Sequence, residues 1–345
     1  MTITPIVGPM TPQVTIPVTP VRPVVPVVPA TTPSIEIGAG QISAQVLAQT
    51  AQGAATLQGG LAPLMADLVQ AAVNPALPPS VRSAAAQVLA QASPATAGVT
   101  AADIARALSR SGLFLEANLA AAPQTSPVGQ DMKAGLLVLQ HTLSAWLAGA
   151  PRAPGPRNPP RTPPPPYRAG STRAQPSATP SLPLDAAPSA VGQRLMAETK
   201  AAVARQELLQ IASLPPRPNE PLDAQVTRWM FEMPFTTRQG ASVAQFEISR
   251  DSRGVQNGEA PAWRVAFSLD IEPLGPVHAR VSLVGEQATV SLWAERELGL
   301  ERLRDDQAAL GAALARASFR AEIAVHSGAP PNTDPGAGRL VDQIS

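Results

Sequence analysis

Hydrophobic residues follow two different periods along the chain, and the period changes near Asp223. From Gln41, short Ala/Leu-rich segments carry apolar residues at three- and four-residue spacing, which is typical of helices with one packed face. From Asp223 onward, apolar and polar residues alternate, as in strands with one buried face. The pattern predicts an α+β chain in which a helical region precedes a sheet domain.

The clearest helix is predicted from Gly129 to Leu147, and a further one from Ala190 to Ser213. We expect the first to pack against neighbouring helices. Ser80 is the predicted N-cap of another helix, and Thr100 with Asp103 has nearly the spacing of a capping box. The first helix has one apolar stripe, formed by Met132, Leu136, Leu139, Leu143, Trp146 and Leu147.

Five strands are predicted in the C-terminal part, and the most secure one runs from Trp263 to Glu272 with strict alternation. Turn residues lie between them, at Asn257-Gly258, at 273–276 and at Gly285-Glu286. Consecutive strands joined by short turns predict an antiparallel meander. The other four strands contain Trp229, Phe231 and Met233; Ala244, Phe246 and Ile248; Val277 to Leu283; and Ala288, Val290 and Leu292.

A long helix is predicted from Ala294 to Ala317, with Leu300, Leu303, Leu310 and Leu314 on one face. We expect this single helix to cover the apolar face of the sheet. A last short strand is predicted at 321–325.

Proline separates these regions and sets the predicted organisation. The chain has 40 prolines in 345 residues, and they are dense at 1–33 and between Pro151 and Pro188, where a packed core is not expected. The predicted segments are 1–40, a disordered Pro-rich export segment; 41–148, a helical region; 149–189, a Pro-rich linker; 190–222, a helix and connector; 223–328, a C-terminal αβ domain; and 329–345, a disordered tail.

The amino-acid composition argues against several classes of function. The formal net charge is +1, so no overall field attracts nucleic acid or anionic lipid, and without cysteine there is no thiolate metal site or thiol nucleophile. No run of about 18 apolar residues predicts a membrane span, and the N-terminus lacks the pattern of a secretory signal. We therefore expect a soluble protein without direct membrane insertion.

No pattern of catalytic, cofactor-binding or metal-ligating residues is present. His141, His278 and His326 are far apart in sequence, and the acidic pair Asp305-Asp306 is expected on the solvent side of its helix. His278 is expected on the more polar face of its strand, as an exposed side chain. Motifs for phosphate, dinucleotide, zinc-protease or nucleophile-elbow sites are absent. These observations predict a protein that is not an enzyme and has no cofactor.

The C-terminal part resembles the C-terminal domain of flagellar hook-length control proteins. The run Pro-Leu-Gly-Pro-Val-His-Ala-Arg-Val at 273–281, the run Val-Ser-Leu-Trp-Ala at 290–294 and the following Leu-spaced helix carry the resemblance. The stretches 111–116 and 131–137 also look like the helical middle section of some members. The family's strand signature is matched here by Leu274, Gly275, Val277, Ala279 and Val281, with alanine at 279 where a larger aliphatic residue is common.

The resemblance implies an exported ruler protein. In that family the N-terminal region enters the flagellar type III channel and reports hook length, with hook and hook-cap proteins as partners during export. The C-terminal domain meets the cytoplasmic domain of the export gate and switches export from hook to filament substrates. For this chain the resemblance implies a cytoplasmic protein that leaves through the flagellar channel, with the five signature residues as the contact to the gate. A monomer suits passage through a narrow channel.

Two other functions remain open at this point. A non-enzymatic cell-envelope or scaffold adaptor would use the Ala-rich helices and the polyproline linker for docking and would give no flagellar phenotype. An enzyme with an unrecognised site in the sheet domain would show a pocket with a strongly shifted ionisable group.

Overall fold

The computed structural model describes residues 35–95, 98–121, 130–150, 162–168, 170–183, 185–215, 226–238, 240–251 and 260–331. The chain divides into Met1–Ile42 and Ser43–Ser345, and all contacts discussed below lie within the second unit. The disordered segment predicted at 1–40 lies almost wholly outside the described residues, as do the turn at Asn257-Gly258 and the tail from 332. The helices are α1 (Ile35–Leu57), α2 (Leu61–Val73), α3 (Pro79–Leu89), α4 (Ala101–Ser109), α5 (Leu115–Ala121), α6 (Met132–Leu147), α7 (Pro188–Ala212) and α8 (Glu297–Arg316).

One mixed sheet contains all the described strands, in the order β1 to β7. Strands β2 to β6 form the predicted antiparallel meander; β1 pairs parallel with β2, and β7 returns through α8 to pair parallel with β6. The α+β class predicted from sequence is confirmed. The strands are β1 (Ser93–Pro94), β2 (Thr227–Thr236), β3 (Ala241–Asp251), β4 (Ala262–Ile271), β5 (Gly275–Val284), β6 (Gln287–Ala294) and β7 (Arg320–Ser327).

The two faces of the sheet differ in chemistry, as the alternation predicts. The register aligns Phe231, Phe246, Phe267 and Ala279 across β2 to β5 on one face, here called the apolar face. The opposite face, here called the polar face, presents Glu232, Gln245, Ser268 and His278 at the matching positions. Because side chains alternate along a strand, a single register places every residue of these strands on one face or the other.

The helices cover more of the sheet than the sequence predicts. Helix α8 packs over β5, β6 and β7, as expected, whereas α4 contacts β2 on the apolar face. On the polar face, α2 and α7 pack against β2 and β3. At its β2–β3 end, the sheet is therefore covered by helices on both the apolar face and the polar face.

The N-terminal helices share a core of their own. Helix α6 packs against α3 and α7 along its predicted stripe, where Met132, Leu136, Leu139 and Leu143 are buried. The same core extends to Val243 on β3, so it joins the helices to the sheet. The expectation that α6 packs on neighbouring helices is confirmed.

Helix starts show one correct prediction and one wrong one. Thr100 and Asp103 form a full capping box at the start of α4, with each side chain bonded to the other's backbone nitrogen. Ser80 is not the N-cap of α3. The helix begins at Pro79, with Pro78 as the N-cap, so Ser80 is already its second residue. Proline suits the first helical position because its missing N–H would have no partner there and its fixed φ is already helical.

Residues 162–168 and 170–183, within the predicted linker, pack against the polar face of the sheet. Ala178 pairs with Ala241 through two backbone hydrogen bonds of 2.8 Å, and Leu182 is buried in the helical core. The expectation that this Pro-rich segment is only a spacer is therefore wrong for these residues. Proline prevents a helix or an inner strand, but an extended chain without regular structure can still lie in a groove and bond through its remaining donors.

Candidate functional site

The turn before β5 holds the first two signature residues against the start of α8. Leu274 lies in the turn, and Gly275 begins β5 with φ +75°, a conformation that favours glycine. An added Cβ at Gly275 would lie 2.5 Å from the Arg296 side chain, and one at Gly299 would lie 2.8 Å from the Leu274 carbonyl oxygen. Both glycines therefore permit α8 to approach the turn closely.

An ion pair links the same turn to the residue that precedes α8. The Arg296 guanidinium donates from Nη1 to Glu272 Oε2 at 2.7 Å and from Nη2 to Oε1 at 3.1 Å. These hydrogen bonds lower the pKa of the Glu272 carboxyl and raise that of Arg296. The pair is exposed to solvent, so it orients the turn more than it stabilises the fold.

The other three signature residues lie along β5 on the apolar face. Ala279 is buried, and Val277 and Val281 are half-buried. The structure thus brings Gly275, Val277, Ala279 and Val281 onto one line of a single strand. Leu274 stands apart from this line, in the turn.

An apolar surface remains partly open beside these residues. Helix α4 lies over β2 and α8 lies over β5 to β7, and between them Val265, Phe267, Val281 and Leu283 are half-buried while Trp263 is 37% exposed. We call these five residues the open strip. Contiguous exposed apolar surface of this kind marks interaction sites in many proteins.

Aromatic and cationic groups mark one end of the open strip. The Trp263 ring stacks on Trp229 with centroids 6.4 Å apart, and the Arg250 guanidinium lies 5.4 Å from the centre of the Trp263 ring. Tryptophan and arginine are enriched among the residues that contribute most to protein interfaces. The open strip is therefore an apolar surface with tryptophan and arginine at one end, and these side chains often contribute most to binding of a partner.

His278 is buried, contrary to the expectation of an exposed side chain. It is 7% exposed, with Nδ1 2.7 Å from Ser268 Oγ and Nε2 3.0 Å from Glu295 Oε1. Ser268 is fully buried and also bonds to Thr172 of the Pro-rich segment. The polar face predicted for this strand exists, but the Pro-rich segment covers it, so a polar residue there is buried with partners.

The Pro-rich segment is held across the polar face mainly by side-chain hydrogen bonds. Thr172 bonds to Ser268 on β4 at 2.9 Å, and the Arg173 backbone nitrogen donates to Gln245 on β3 at 2.8 Å. The Gln175 amide donates to Glu232 on β2 at 2.5 Å. Since these partners lie on three neighbouring strands, the segment crosses the sheet rather than extending it.

A buried ion pair joins the helices, the sheet and the Pro-rich segment. Arg205 on α7 donates to Glu232 on β2 at 2.6 Å, with both side chains at most 2% exposed. Arg205 also donates to the Gln58 side chain at 2.7 Å and to the Pro164 carbonyl at 3.0 Å. Charges removed from water are tolerated only with such additional hydrogen bonds, so this cluster depends on all its members being in place.

A second charged cluster attaches the Pro-rich segment to the helices. Arg194 donates to Asp67 and to Glu198, at 3.1 Å each, and Asp67 accepts from the Ser181 backbone nitrogen at 2.6 Å. Burial, and then the nearby charge of Asp67, raise the pKa of the Glu198 carboxyl to about 8. Its neutral form is therefore favoured far more than that of an exposed glutamate.

The described residues include one cavity beside the β4–β5 turn but no cluster of metal-ligating side chains. Among the described residues no group of three potential ligands lies close enough to hold a metal ion, and no helix is long and apolar enough to cross a membrane. A cavity of about 650 Å³ opens beside the β4–β5 turn, lined partly by Arg238, Asp270 and Arg296. Burial raises the pKa of Asp270 there, and the nearby carboxylates of Glu272 and Glu295 raise it further.

Sequence reasoning missed the residues that join the two halves of the chain. Arg205 and Glu232 are 27 positions apart, and no local pattern pairs them. One signal was available: Glu232 is a carboxylate within the apolar run from Trp229 to Phe235, and an acid at such a position requires a buried partner.

Comparison with known proteins identifies the C-terminal part. Residues 238–334 match the family model of the flagellar hook-length control protein FliK. The match contains the β4–β5 turn, all five signature residues, the whole open strip and α8. No curated protein and no solved structure matches the chain significantly. Residues 238–334 are therefore similar to the flagellar hook-length control family, in the same region as the resemblance noted around β5.

Proposed function

We propose that this chain controls flagellar hook length as an exported ruler whose C-terminal domain switches the export apparatus from hook to filament substrates. The match of residues 238–334 to the hook-length control family carries this proposal. The protein would act without catalysis, in the cytoplasm and then in the flagellar export channel. Its partners would be the cytoplasmic domain of the export gate and, during export, hook and hook-cap proteins.

The open strip and the adjoining signature residues supply the proposed contact with the gate. Val277 and Val281 leave part of their apolar surface accessible beside Phe267 and Trp263. A partner that covers this surface would remove apolar area from water, at roughly 25 cal/mol per Å². The polar face is covered by this chain's own Pro-rich segment, so the apolar face is the accessible one at the middle of the sheet.

The length of the chain ahead of the sheet suits a ruler. About 220 residues precede it, and fully extended at roughly 3.3 to 3.6 Å per residue they reach on the order of 70 to 80 nm. In the folded chain, α2, α4 and α7 pack on the sheet, and α3 and α6 pack on α2 and α7, so export as a ruler requires these helices to unfold first.

Electron microscopy of flagella tests the switch. In a strain whose chromosomal copy lacks residues 225–328, we expect overlong hooks without filaments. Normal filaments on hooks of controlled length would contradict the proposal.

A matched pair of variants tests the contact surface. Val281→Glu places a charge within the open strip, whereas Val284→Glu places the same charge on the same strand at a position that is 47% exposed on the opposite face. We expect loss of filaments and of binding to the purified gate domain for Val281→Glu only, with both proteins folded by circular dichroism. Equal behaviour of two folded variants would remove the strip as the contact.

An insertion tests the ruler separately. A helix-forming insert near residue 155, ahead of the segment that docks on the sheet, should lengthen hooks while filaments still form. Hooks of unchanged length would reject the ruler and leave the switch in place.

A further inference from the structure

The two edges of the sheet differ in the hydrogen-bond partners that the rest of the chain gives them. On the β2 edge, Ser213 Oγ accepts from the Met230 backbone nitrogen at 2.8 Å, and β1 pairs with the end of the strand, where Ala95 donates to the Thr236 carbonyl at 2.9 Å. On the β7 edge, the described residues provide no such strand partner. Unpaired edges promote association with other strands, and natural proteins usually cover or shorten them.

The parallel register defines which groups of β7 are unpaired. Arg320 and Gly328 donate inward to Glu286 and Ala294, so the even-numbered residues between them point their backbone groups toward β6. The odd-numbered residues point theirs outward. Among the described residues their single hydrogen bond on that side is from the Gln307 side chain to the Ile323 carbonyl, at 2.9 Å, which leaves that oxygen a second lone pair. The outward residues are Ala321, Ile323, Val325 and Ser327.

This edge is complementary to itself in one antiparallel register. Pairing Ile323 of one copy with Val325 of another exchanges the outward hydrogen bonds and places Ala324 opposite Ala324 on the twofold axis. Glu322 then lies opposite His326, twice, on the polar face. A carboxylate facing an imidazole can accept a hydrogen bond from it, whereas like charges at directly facing positions destabilise a strand pair. Sliding by four residues would instead oppose Glu322 to Glu322 or His326 to His326, and sliding by two would oppose Arg320 to His326.

The side chains at the edge fit the same register. Glu322 and His326 are exposed, and no ion pair engages Glu322 among the described residues. On the apolar face a notch of about 450 Å³ lies between α8 and the edge, lined in part by Ala308, Ala321 and Ile323. The Val325 side chain of the second copy would enter this notch, which has the small residues to accept it.

From this geometry we propose that two copies of the chain associate through antiparallel β7–β7 pairing, forming a continuous sheet across a twofold axis. An eight-residue strand pair buries less than the roughly 1,200 Å² typical of stable complexes, so the dimer is reversible and concentration-dependent. It dissociates to monomers on dilution, and the monomer expected for passage through a narrow channel is the dissociated form. This association is independent of the contact proposed for the open strip.

A single introduced thiol tests the register, because the natural chain has no cysteine. Ala324→Cys places one thiol at the twofold axis, where facing residues of a non-hydrogen-bonded pair have Cα atoms about 4.5 Å apart, a separation that a disulfide spans. Glu322→Cys is the control on the same face of the same strand and is more exposed. Under mild oxidation of the full chain, we expect Ala324→Cys to cross-link at least about tenfold faster, since facing thiols react intramolecularly within the dimer. Equal rates for the two variants would overturn the proposal.

Sedimentation of the full chain over a wide concentration range gives the second measurement. The apparent mass should rise from 35.6 kDa toward twice that value. His326→Glu opposes two carboxylates and should weaken association, and the double variant Glu322→Lys, His326→Glu should restore it. A single 35.6 kDa species at every concentration, or failure of the double variant to recover dimer, would reject β7 pairing.

Discussion

The two ends of the sheet differ in how far along the sequence their covering segments lie. At the β2–β3 end, both faces are covered by segments remote in sequence: α4 on the apolar face, and α2, α7 and the Pro-rich segment on the polar face. At the β5–β7 end, the cover is α8, which is the connection between β6 and β7. The family match begins at residue 238, so it includes the whole locally built end but none of the remote cover.

This difference indicates that the two ends have different stabilities and different dependence on the N-terminal half. Local contacts form at low entropic cost, whereas contacts across a hundred residues need a longer loop to close. Regions of one protein can open separately when their contacts are of different kinds. Withdrawal of the helices for export would thus expose the β2–β3 end and leave α8 on its strands.

The largest expected effect is at the ion pair that attaches α7 to the β2–β3 end of the sheet. Arg205→Ala leaves Glu232 buried without its charge partner and should destabilise the protein by about 3–5 kcal/mol in urea unfolding. Hydrogen exchange should increase on β2 and β3 and change little on β7. The double variant Arg205→Met, Glu232→Leu removes both charges and should recover most of the loss. A loss below about 1 kcal/mol for Arg205→Ala would show that the pair does not hold the two halves together.

A pair of leucine variants compares the ends directly. Leu139→Ala in the helical core and Leu300→Ala on the buried side of α8 each remove a side chain that is at most 3% exposed, and each should cost about 2–5 kcal/mol. Exchange protection should fall around β3 for the first and around β6 and β7 for the second. Val138→Ala, at a position 51% exposed, is the control and should change stability little. Identical exchange patterns for the two core variants would mean that the sheet opens as one unit.

Changing pH should act on the helical cover rather than on α8. Because the pKa of Glu198 is raised to about 8, the folded chain binds one proton more than the unfolded chain between about pH 4 and pH 8, so this group lowers stability as pH rises through that range. Glu198→Gln should flatten this dependence and stabilise the protein above pH 8 by about 1 kcal/mol or more. Thermal unfolding at pH 6 and pH 9 measures the effect, and an unchanged pH slope would contradict the assignment.

The smallest expected effect concerns the Pro-rich segment. Thr172→Val removes the hydroxyl that bonds to Ser268 while keeping the side-chain shape, and it should cost about 1 kcal/mol. Exposed Thr289→Val is the control. Faster exchange confined to β3 and β4 would localise the contact, whereas no difference between the two variants would show that Thr172 does not hold the segment.

The periodicity of the sequence was enough to predict the helices and strands, but it did not predict which segments cover them. Alternation from Trp263 to Ile271 identified β4, and the leucine spacing identified α8, because each pattern reports its own local geometry. The same alternation placed His278 on a polar face and led to the expectation of exposure. Burial of that face depends on residues about a hundred positions earlier, so the strand's own pattern does not contain it.

Proline content was the least informative guide to packing. It correctly excluded helices and inner strands between 162 and 183, yet the segment lies on the sheet because Thr172, Arg173 and Gln175 meet polar partners on three strands. The candidate contact surface shows the same division. Its five signature residues were identified from sequence, whereas the neighbouring Trp263 and Phe267 joined it through strand register.

By itself, the sequence determined the α+β class, the meander, the β5 signature and the similarity of residues 238–334 to the hook-length control family, because short-range periods and motifs encode these features. Only the tertiary structure decided which face stays open, which edge stays unpaired and where Arg205 finds its carboxylate. Those outcomes depend on contacts between distant segments, and burial of a charge or a sheet face is settled only when all the segments that enclose it are in place.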